Sequence, residues 1–275
     1  MPWFASWRRL PAMLRPLLLL LLLLPLSLPP VLLLLGALHP LGRVPVPGDL
    51  WPDSPSLASL FALFTDVPMA RALGNSLILV LLYVPLAVLL AAAAGFGLRF
   101  LSPGWKLAAY GLWIVAASIP ATATWLPRFL AFQGLGLGDS WWPLLAPALM
   151  GGNALLVLLY GISLQQLPSS QIEAARLEGS SWLSVWWTVA LPQVRPATLV
   201  ALILATAWCW ANFQDALLYL QERHSQTAPM LVYELELLGA SHWPLLMAAA
   251  WLLALPLLIL VWWLPGALDR SLEHR

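Results

Sequence analysis

Six predominantly apolar runs, separated by shorter polar segments, dominate the sequence. They extend over Leu14–Leu38, Leu73–Leu98, Leu107–Pro127, Trp141–Leu164, Ala197–Leu220 and Trp243–Leu264. An apolar helix of about 20 residues is long enough to cross the hydrocarbon core of a bilayer. None of the runs shows the ~10-residue alternating segments of a transmembrane barrel, and a helix bonds its backbone polar groups within a single span. The pattern therefore predicts an all-α membrane protein with six transmembrane helices.

The composition excludes most other classes of protein. Of the 275 residues, 61% are hydrophobic and only 9% are charged, whereas a soluble domain is about 25% charged. The 17 tryptophans argue against disorder. A net charge of +1 gives no electrostatic reason to expect a nucleic-acid partner. The single cysteine, Cys209, allows no internal disulfide and suggests no metal site.

The first apolar run could also be read as a secretory signal peptide, because Arg8, Arg9 and Arg15 lie at or before its start. A signal peptide has an apolar core of only about 7–15 residues, followed by a cleavage site of small residues. Here the apolar stretch continues to Leu38, and no Ala-x-Ala sequence follows it. We therefore interpret the run as an uncleaved first span after a tail of residues 1–13.

The positive charges predict the orientation, since Lys and Arg accumulate on the cytoplasmic side of membrane proteins. With the N-terminus inside, the cytoplasmic segments contain Arg8, Arg9, Arg15, Arg99, Lys106, Arg176, Arg195, Arg270 and Arg275. The outer segments then contain only Arg43, Arg71, Arg128 and Arg223. Both termini are therefore predicted to be cytoplasmic, with a transmembrane domain over residues 14–265 and a tail over residues 266–275.

One long loop, residues 165–196, is predicted to lie in the cytoplasm between spans four and five. The segment Ser170–Glu173 has the pattern of a capping box, which begins a helix. Gly179 fits the left-handed position that ends one. Ser180 or Ser181 can then cap a second short helix, which is expected to end before Pro192. The loop is therefore predicted to be a helix, a glycine hinge and a second helix.

The second helix of this loop carries three tryptophans. Trp182 and Trp186 are four residues apart and share a face with the adjacent Trp187. Such a face can rest on lipid as an interfacial amphipathic helix, or it can form the docking surface of a cytoplasmic partner. Periodicity alone leaves both interpretations open.

The same loop resembles the EAA loop of ABC-transporter permeases, whose pattern is E-A-A-x3-G-x9-I-x-L-P. The matching residues are Glu173, Ala174, Ala175, Gly179, Val189, Leu191 and Pro192, with valine in place of the usual isoleucine. In that family the loop docks in a cleft of the ATPase subunit and transmits its nucleotide-driven movement. The resemblance implies that this loop has the same role and that the chain is a non-catalytic permease subunit.

Other segments resemble the maltose-type carbohydrate permeases within that family. Asn75-Ser76-Leu77 is similar to their N-S-L start of the second span, and Ala94–Arg99 to the end of that span. Trp210-Ala211-Asn212-Phe213 is similar to their W-N-x-F, with one residue inserted after the tryptophan. The resemblance implies import of a carbohydrate by alternating access across the inner membrane of a prokaryote. It also implies an extracytoplasmic solute-binding protein and a second, different permease subunit as partners.

The chain has no G-x-x-x-x-G-K-[ST] phosphate loop, so it is not expected to hydrolyse ATP. The resemblance accordingly implies no cofactor in this chain, with ATP and Mg²⁺ bound by the partner ATPase. A path for the solute should be lined by polar residues within the spans, because such residues are costly to expose to lipid. The candidates are Asn75, Thr122, Asn153, Asn212 and Asp215, followed by Ser118, Thr124 and Tyr160. For each of these residues, a hydrogen bond that holds two helices together is the alternative.

Two other classes of membrane protein remain as alternatives. A secondary transporter places ionisable coupling residues near the membrane midplane, and only Asp215 comes close to that position. An intramembrane serine protease needs a histidine within a span. His39, His224, His242 and His274 all fall outside the spans or at their edges.

Overall fold

The computed structural model describes residues 14–44, 46, 48–149 and 153–273 of the chain. These residues form helices, turns and loops, and they include no β-strand. The first helices in chain order are α1 (Leu14–Ala37), α2 (Ala58–Thr65), α3 (Met69–Leu98), α4 (Pro103–Ser118), α5 (Ala121–Gly134), α6 (Trp142–Leu149) and α7 (Ala154–Gln165). The predicted tail of residues 1–13 and residues 274–275 lie outside the described residues.

The second half of the chain contains shorter helices before a long final one. They are α8 (Ser169–Leu177), α9 (Trp182–Ser184), a π-helix (Val185–Ala190), α10 (Leu191–Gln193), α11 (Arg195–Trp210), α12 (Phe213–Tyr219), α13 (Ala228–Leu237), a 3₁₀ turn (Ala240–His242) and α14 (Trp243–Glu273). The prediction of an all-α protein is confirmed for the described residues.

Three stretches of the described residues are long and apolar enough to cross a membrane, by length and composition. They are Met69–Leu98, Trp142–Gln165, which includes the undescribed residues 150–152, and Ala240–Leu260. Two bent pairs of helices bring the number to five if each pair is counted as one span. The described part of the chain therefore has three to five candidate spans. Within α1, Ser27–Ala37 forms a shorter apolar helix.

The third predicted span, Leu107–Pro127, is not one straight helix. It is divided between α4 and α5, which meet at an angle of 90°. The break falls at Ile119, whose backbone is extended (φ −75°, ψ 120°), because a residue before proline is disfavoured in the helical conformation. The fifth predicted span, Ala197–Leu220, is also interrupted: α11 ends at Trp210, and α12 begins at Phe213.

The chain divides into two compact units. The first consists of residues 1–69 and 232–256. In its described part, the amide of Ser56 donates to the carbonyl of Leu38 at 2.8 Å. The guanidinium of Arg43 contacts the carboxylates of Asp49 at 2.5 Å and Asp53 at 3.7 Å. These bonds fold the segment between α1 and α2 back on itself.

The second unit, residues 70–231 and 257–275, contains the main hydrophobic core. Helix α4 packs against α7, and α7 also packs against α11. The core is rich in alanine along α3 and α11, including Ala87, Ala91, Ala201 and Ala205, which are at most 3% exposed. Small residues let membrane helices approach closely, which favours their packing because apolar side chains gain little from leaving lipid.

Helices α3 and α7 approach each other closely within this unit. A Cβ atom on Gly95 would lie 2.7 Å from the Cβ of Tyr160 and 2.8 Å from the backbone nitrogen of Gly161. Gly161 in turn faces the Tyr110 hydroxyl of α4, which would lie 2.8 Å from an added Cβ. Gly95 and Gly161 therefore define a site where three helices meet without room for a methyl group.

We expect Gly95→Ala to lower the melting temperature of the purified protein in detergent. The added methyl group forces α3 away from α7, at a cost of about 1–3 kcal/mol, which is typical of overpacked cores. Gly97→Ala is the matched control, because it lies on the same helix with no described atom within 4 Å of the added Cβ. Equal losses in the two variants would contradict the close approach of α3 and α7.

Candidate functional site

The loop between α7 and α11 begins with a helix that lacks the predicted capping box. Helix α8 starts at Ser169, one residue before the predicted cap, and Pro168 occupies the N-cap position with no side-chain hydrogen bond. Pro168 is extended there (φ −60°, ψ 129°), and its ring disfavours the helical conformation of the residue before it, so the helix does not continue backwards. The prediction that Ser170–Glu173 forms a capping box is therefore wrong.

The glycine hinge is confirmed. Gly179 has φ +87°, in the left-handed region, and its amide donates to the carbonyl of Arg176 at 3.0 Å. The amide of Ser180 donates to the carbonyl of Ala175 at 3.1 Å, which closes the end of α8. These two bonds satisfy carbonyls that a helix end otherwise leaves without a partner. The chain then turns sharply into the second helical segment.

The second helical segment begins at a predicted cap, but its helix type and its end differ from the prediction. The Ser181 hydroxyl oxygen accepts a hydrogen bond from the amide of Ser184 at 3.2 Å. The helix then widens into a π-helix over Val185–Ala190 and continues through Pro192 to Gln193. The prediction that it ends before Pro192 is wrong, because proline is tolerated in the first turn of a helix. An 87° bend follows, and α11 begins at Arg195.

The residues of the EAA pattern divide into an exposed set and a packed set. The exposed residues are Glu173, Ala174, Gly179 and Pro192. The others, Ala175, Val189 and Leu191, are half-buried and pack against the core. The two arms of the loop are also joined by the Gln193 amide nitrogen, which donates to the Gln171 side-chain oxygen at 2.6 Å. The loop is therefore one folded unit, anchored on one side and exposed on the other.

A cavity of about 750 Å³ lies between α8 and the ends of neighbouring helices. We call it the Arg99 cavity, lined by Arg99, Phe100, Lys106, Glu173, Arg176 and Trp182 among other residues. The Arg99 guanidinium donates to the carbonyls of Leu164 at 2.5 Å and Leu167 at 2.7 Å. A cation is favourable at this position because the C-terminal end of a helix carries partial negative charge.

A second cavity, of about 570 Å³, lies at the breaks in the third and fifth predicted spans. We call it the Arg128 cavity, lined by Tyr83, Thr124, Arg128, Trp208, Asn212 and Asp215 among other residues. Ile119 and Ala121, which flank the α4–α5 break, also contribute to the lining. Among its described lining residues, Arg128 and Asp215 are the only charged ones. The cavity thus combines aromatic faces with hydrogen-bonding groups and a single pair of opposite charges.

Arg128 and Asp215 form an ion pair across this cavity. Both guanidinium nitrogens lie 3.4 Å from the Asp215 carboxylate oxygens, and one of them donates to the carbonyl of Pro143 at 2.9 Å. Asn212 holds the carboxylate from the other side, with its amide nitrogen 3.2 Å from a carboxylate oxygen. The guanidinium also lies 5.9 Å above the centroid of the Tyr219 ring. Arg128 therefore connects α5, α6 and α12.

The structure brings together only part of the predicted polar path. Asn212, Asp215 and Thr124 line the Arg128 cavity, and Asn153 is a side-chain partner of Tyr83, which also lines it. The other candidates are found elsewhere. The exposed Thr122 is outside the cavity lining, and the exposed Ser118 bonds its own helix.

Asn75 and Tyr160 are also outside the cavity lining, and Asn75 matches the alternative interpretation, in which hydrogen bonds from a polar side chain hold segments together. The Asn75 amide nitrogen donates to the carbonyls of His224 and Gln226, both at 2.8 Å. Tyr160 is fully buried beside Thr198.

The sequence analysis missed Arg128 because its position, directly after a predicted span, assigned it to an outer loop. The signal that could have found it is Pro120, which breaks the span and carries Arg128 into a second helix. A buried carboxylate such as Asp215, which is 8% exposed, also needs a cation nearby. No group of three or more potential metal-ligating side chains occurs among the described residues.

Comparisons with known proteins agree with this architecture. The sequence model of the family described as "Binding-protein-dependent transport system inner membrane component" matches residues 84–274. The sulfoquinovosyl glycerol transport system permease protein SmoH of Agrobacterium fabrum is 26% identical over 211 residues, covering 77% of this chain and 74% of that protein. The melibiose/raffinose/stachyose import permease protein MelC of Bacillus subtilis is 25% identical over 206 residues, covering 72% and 73%.

A similar fold occurs in the crystal structure of a bacterial ABC transporter involved in the import of the acidic polysaccharide alginate. The TM-score is 0.73 at 18% identity, and the alignment covers 90% of this chain and 93% of that one. The family match extends over more than two thirds of the chain. The chain therefore belongs to the family of binding-protein-dependent transport system inner membrane components, which are the multi-pass permease subunits of ABC importers.

Proposed function

We propose that this chain is one permease subunit of an ATP-driven importer that moves a carbohydrate, delivered by a solute-binding protein, across a prokaryotic inner membrane by alternating access. The observation that best supports this proposal is the loop of residues 165–196, which connects the apolar helices α7 and α11. It folds as a helix–glycine–helix unit in which Glu173 is exposed. The relatives SmoH and MelC, whose names refer to the transport of sulfoquinovosyl glycerol and of melibiose, raffinose and stachyose, support a carbohydrate as the solute.

The proposed topology has six spans with both termini in the cytoplasm. Helices α3, α6 with α7, and α14 supply three spans, the bent pair of α4 and α5 supplies a fourth, and α11 with α12 supplies a fifth. Helix α1 is the sixth. The transmembrane domain is then residues 14–265, with the coupling loop at residues 165–196 and cytoplasmic tails at residues 1–13 and 266–275.

Energy reaches the membrane through the coupling loop. Each half of a symmetric ATPase dimer binds ATP and Mg²⁺ and receives one loop, from this chain or from a second, different permease subunit. Glu173 makes the polar contact with the ATPase, and Gly179 supplies the turn between the two helices of the loop. Leu191 and Pro192 transmit the movement to α11. Because Val185 and Ala190 are fully buried, the loop moves with its neighbours as a packed body, and rigid-body movement is a common form of alternating access.

The solute is proposed to pass through the Arg128 cavity. A carbohydrate presents many hydroxyl groups and apolar ring faces, and a pocket for a small molecule combines apolar and aromatic walls with a few fixed polar groups. Tyr83 and Trp208 provide the aromatic walls, while Asn212, Arg128 and Asp215 provide donors and acceptors. The two opposite charges cancel, which matches a solute without a net charge.

Purification of the chain from membranes tests the proposed function directly. We expect a subunit with ATPase activity to co-purify, and we expect uptake into proteoliposomes to require ATP and the cognate binding protein. A panel of sugars offered to that binding protein then identifies the solute. Uptake that follows a proton or sodium gradient without any ATPase would instead support the secondary transporter.

We expect Glu173→Ala to weaken the association with the ATPase by about 10- to 100-fold, which corresponds to one lost hydrogen bond to a charged group. The measurements are subunit co-purification and solute-stimulated ATP hydrolysis. Glu178→Ala is the matched control, since Glu178 is an exposed carboxylate at the end of the same helix but lies outside the EAA pattern. Similar losses in both variants would refute the specific role of Glu173.

Asp215→Asn is expected to destabilise the protein, because it leaves Arg128 without a counter-charge. The cost should be about 1–3 kcal/mol, less than for a fully buried pair, because the two side chains keep 24% and 12% exposure. The double variant Arg128→Gln/Asp215→Asn should recover the melting temperature, since no unpaired charge remains.

The same double variant separates a structural role of the pair from a role on the path. We expect its uptake to fall by about 10- to 100-fold at low solute concentration, because charged hydrogen bonds to the solute are lost. Asp66→Asn, which changes an exposed carboxylate outside the cavity, should leave uptake unchanged. Wild-type uptake by a stable double variant would place the path elsewhere.

A further inference from the structure

The Arg99 cavity lies where three apolar helices end. Helix α3 ends at Leu98, α4 begins at Pro103, and α7 ends at Gln165. Arg99, which directly follows α3, and Lys106, in the first turn of α4, line the cavity together with Gln165. Because the ends of membrane-crossing helices lie at the level of the lipid headgroups, this cavity opens at the boundary between hydrocarbon and water.

The lining of the cavity has an excess of positive charge. Arg99, Lys106 and Arg176 are cations, and Glu173 is the single carboxylate among the lining residues, which leaves a net charge of +2. The ion pairs found within the described chain involve none of these four side chains. Their hydrogen bonds go to neutral oxygens, which do not cancel a full charge. The cavity therefore favours an anion.

Two of these cations, Lys106 and Arg176, also have donors that remain available. The Lys106 ammonium has three N–H groups, and among the described residues it has two acceptors, the carbonyl of Arg99 at 3.1 Å and the Gln165 side-chain oxygen at 3.3 Å. Arg176 uses one terminal nitrogen to reach the carbonyl of Ser180 at 2.5 Å. A guanidinium has five N–H groups, so both side chains can bind a further acceptor without giving up their present bonds.

Exposed aromatic and aliphatic side chains also line the cavity. The rings of Phe100 and Trp182 meet edge to face with their centroids 4.8 Å apart, and each side chain is about half exposed. The Arg176 guanidinium stacks over the Trp182 ring at 4.5 Å, which fixes both groups. Leu177, also in the lining, is 89% exposed. A ligand in this cavity would thus meet both cations and exposed apolar surface.

We propose that the Arg99 cavity binds the phosphate group of an anionic phospholipid from the cytoplasmic leaflet, with the glycerol and upper acyl chain against Phe100 and Trp182. Basic pockets between membrane helices on this side suit anionic headgroups, and a volume of about 750 Å³ is within the usual range for small-molecule sites. The exposed apolar surface favours a lipid over free phosphate. The assignment to the cytoplasmic leaflet rests on the proposed function, whereas the binding site itself does not.

A measurement of which lipids the detergent-purified transporter retains tests this proposal. After incubation with vesicles of phosphatidylglycerol or of phosphatidylcholine with the same acyl chains, native mass spectrometry should show phosphatidylglycerol bound preferentially. Lys106→Gln should reduce this binding about fivefold, and Lys106→Gln with Arg176→Gln about 25-fold, as expected for the loss of one and two cations near an anionic headgroup. Arg71→Gln, which removes an exposed cation near the opposite end of α3, is the matched control.

A second measurement covers the case in which the variants do not fold. Preferential binding of phosphatidylglycerol by the unmodified transporter should weaken as salt is added, because exposed charges are screened. Equal retention of the two lipids by the unmodified protein at all salt concentrations would overturn the proposal, as would undiminished binding by the folded double variant.

Two further results would assign the cavity to another ligand and so overturn the proposal. Displacement of phosphatidylglycerol by inorganic phosphate at similar concentration would show a site for a soluble anion. Loss of the ATPase subunit from Lys106→Gln, with lipid retention unchanged, would show a protein-docking surface. Because lipid retention is measured without transport, a transporter that binds the lipid but moves no sugar would refute only the proposed function.

Discussion

A chain that crosses lipid must form hydrogen bonds among its own backbone polar groups, because hydrocarbon offers no partner. Every break in a membrane helix must therefore be compensated by nearby polar groups or by a cavity that admits water. Two such breaks, at Ile119 and after Trp210, adjoin the Arg128 cavity. There Arg128 binds the carbonyl of Pro143, and the Asn212 side chain accepts from the amide of Asp215 at 3.2 Å. Asn212, whose side chain compensates the second break, thus also lines the cavity.

At the ends of the helices, in the headgroup region, the last backbone carbonyls have no partner within their own helix and need donors from elsewhere. Arg99 binds the carbonyls of Leu164 and Leu167, so the end of α7 is tied to the end of α3 just before the coupling loop begins. Ile172 and Val185 bury the loop against the same core. The loop of residues 165–196 is therefore packed against neighbouring helices, as the proposed transmission of movement requires.

The sequence predicted those features of the loop that depend on local chemistry. Gly179 was expected at a left-handed position, and Ser181 was one of two expected caps; both expectations are confirmed. The capping box at Ser170–Glu173 was wrong because Pro168 already begins the helix. The π-helix over Val185–Ala190 could not be predicted, since its wider turn reflects packing of Val185 and Ala190 into the core.

The sequence by itself determined that this is a helical membrane protein with a helix–glycine–helix loop, because length, hydropathy and turn chemistry are properties of neighbouring residues. Only the tertiary structure decided that Arg128 and Asp215, 87 residues apart, face each other, while Thr122 is exposed and lies outside the lining of their cavity. Pairing of that kind depends on the 90° bend between α4 and α5. Periodicity marks where a polar residue lies on its own helix, but only packing determines which other helix it meets.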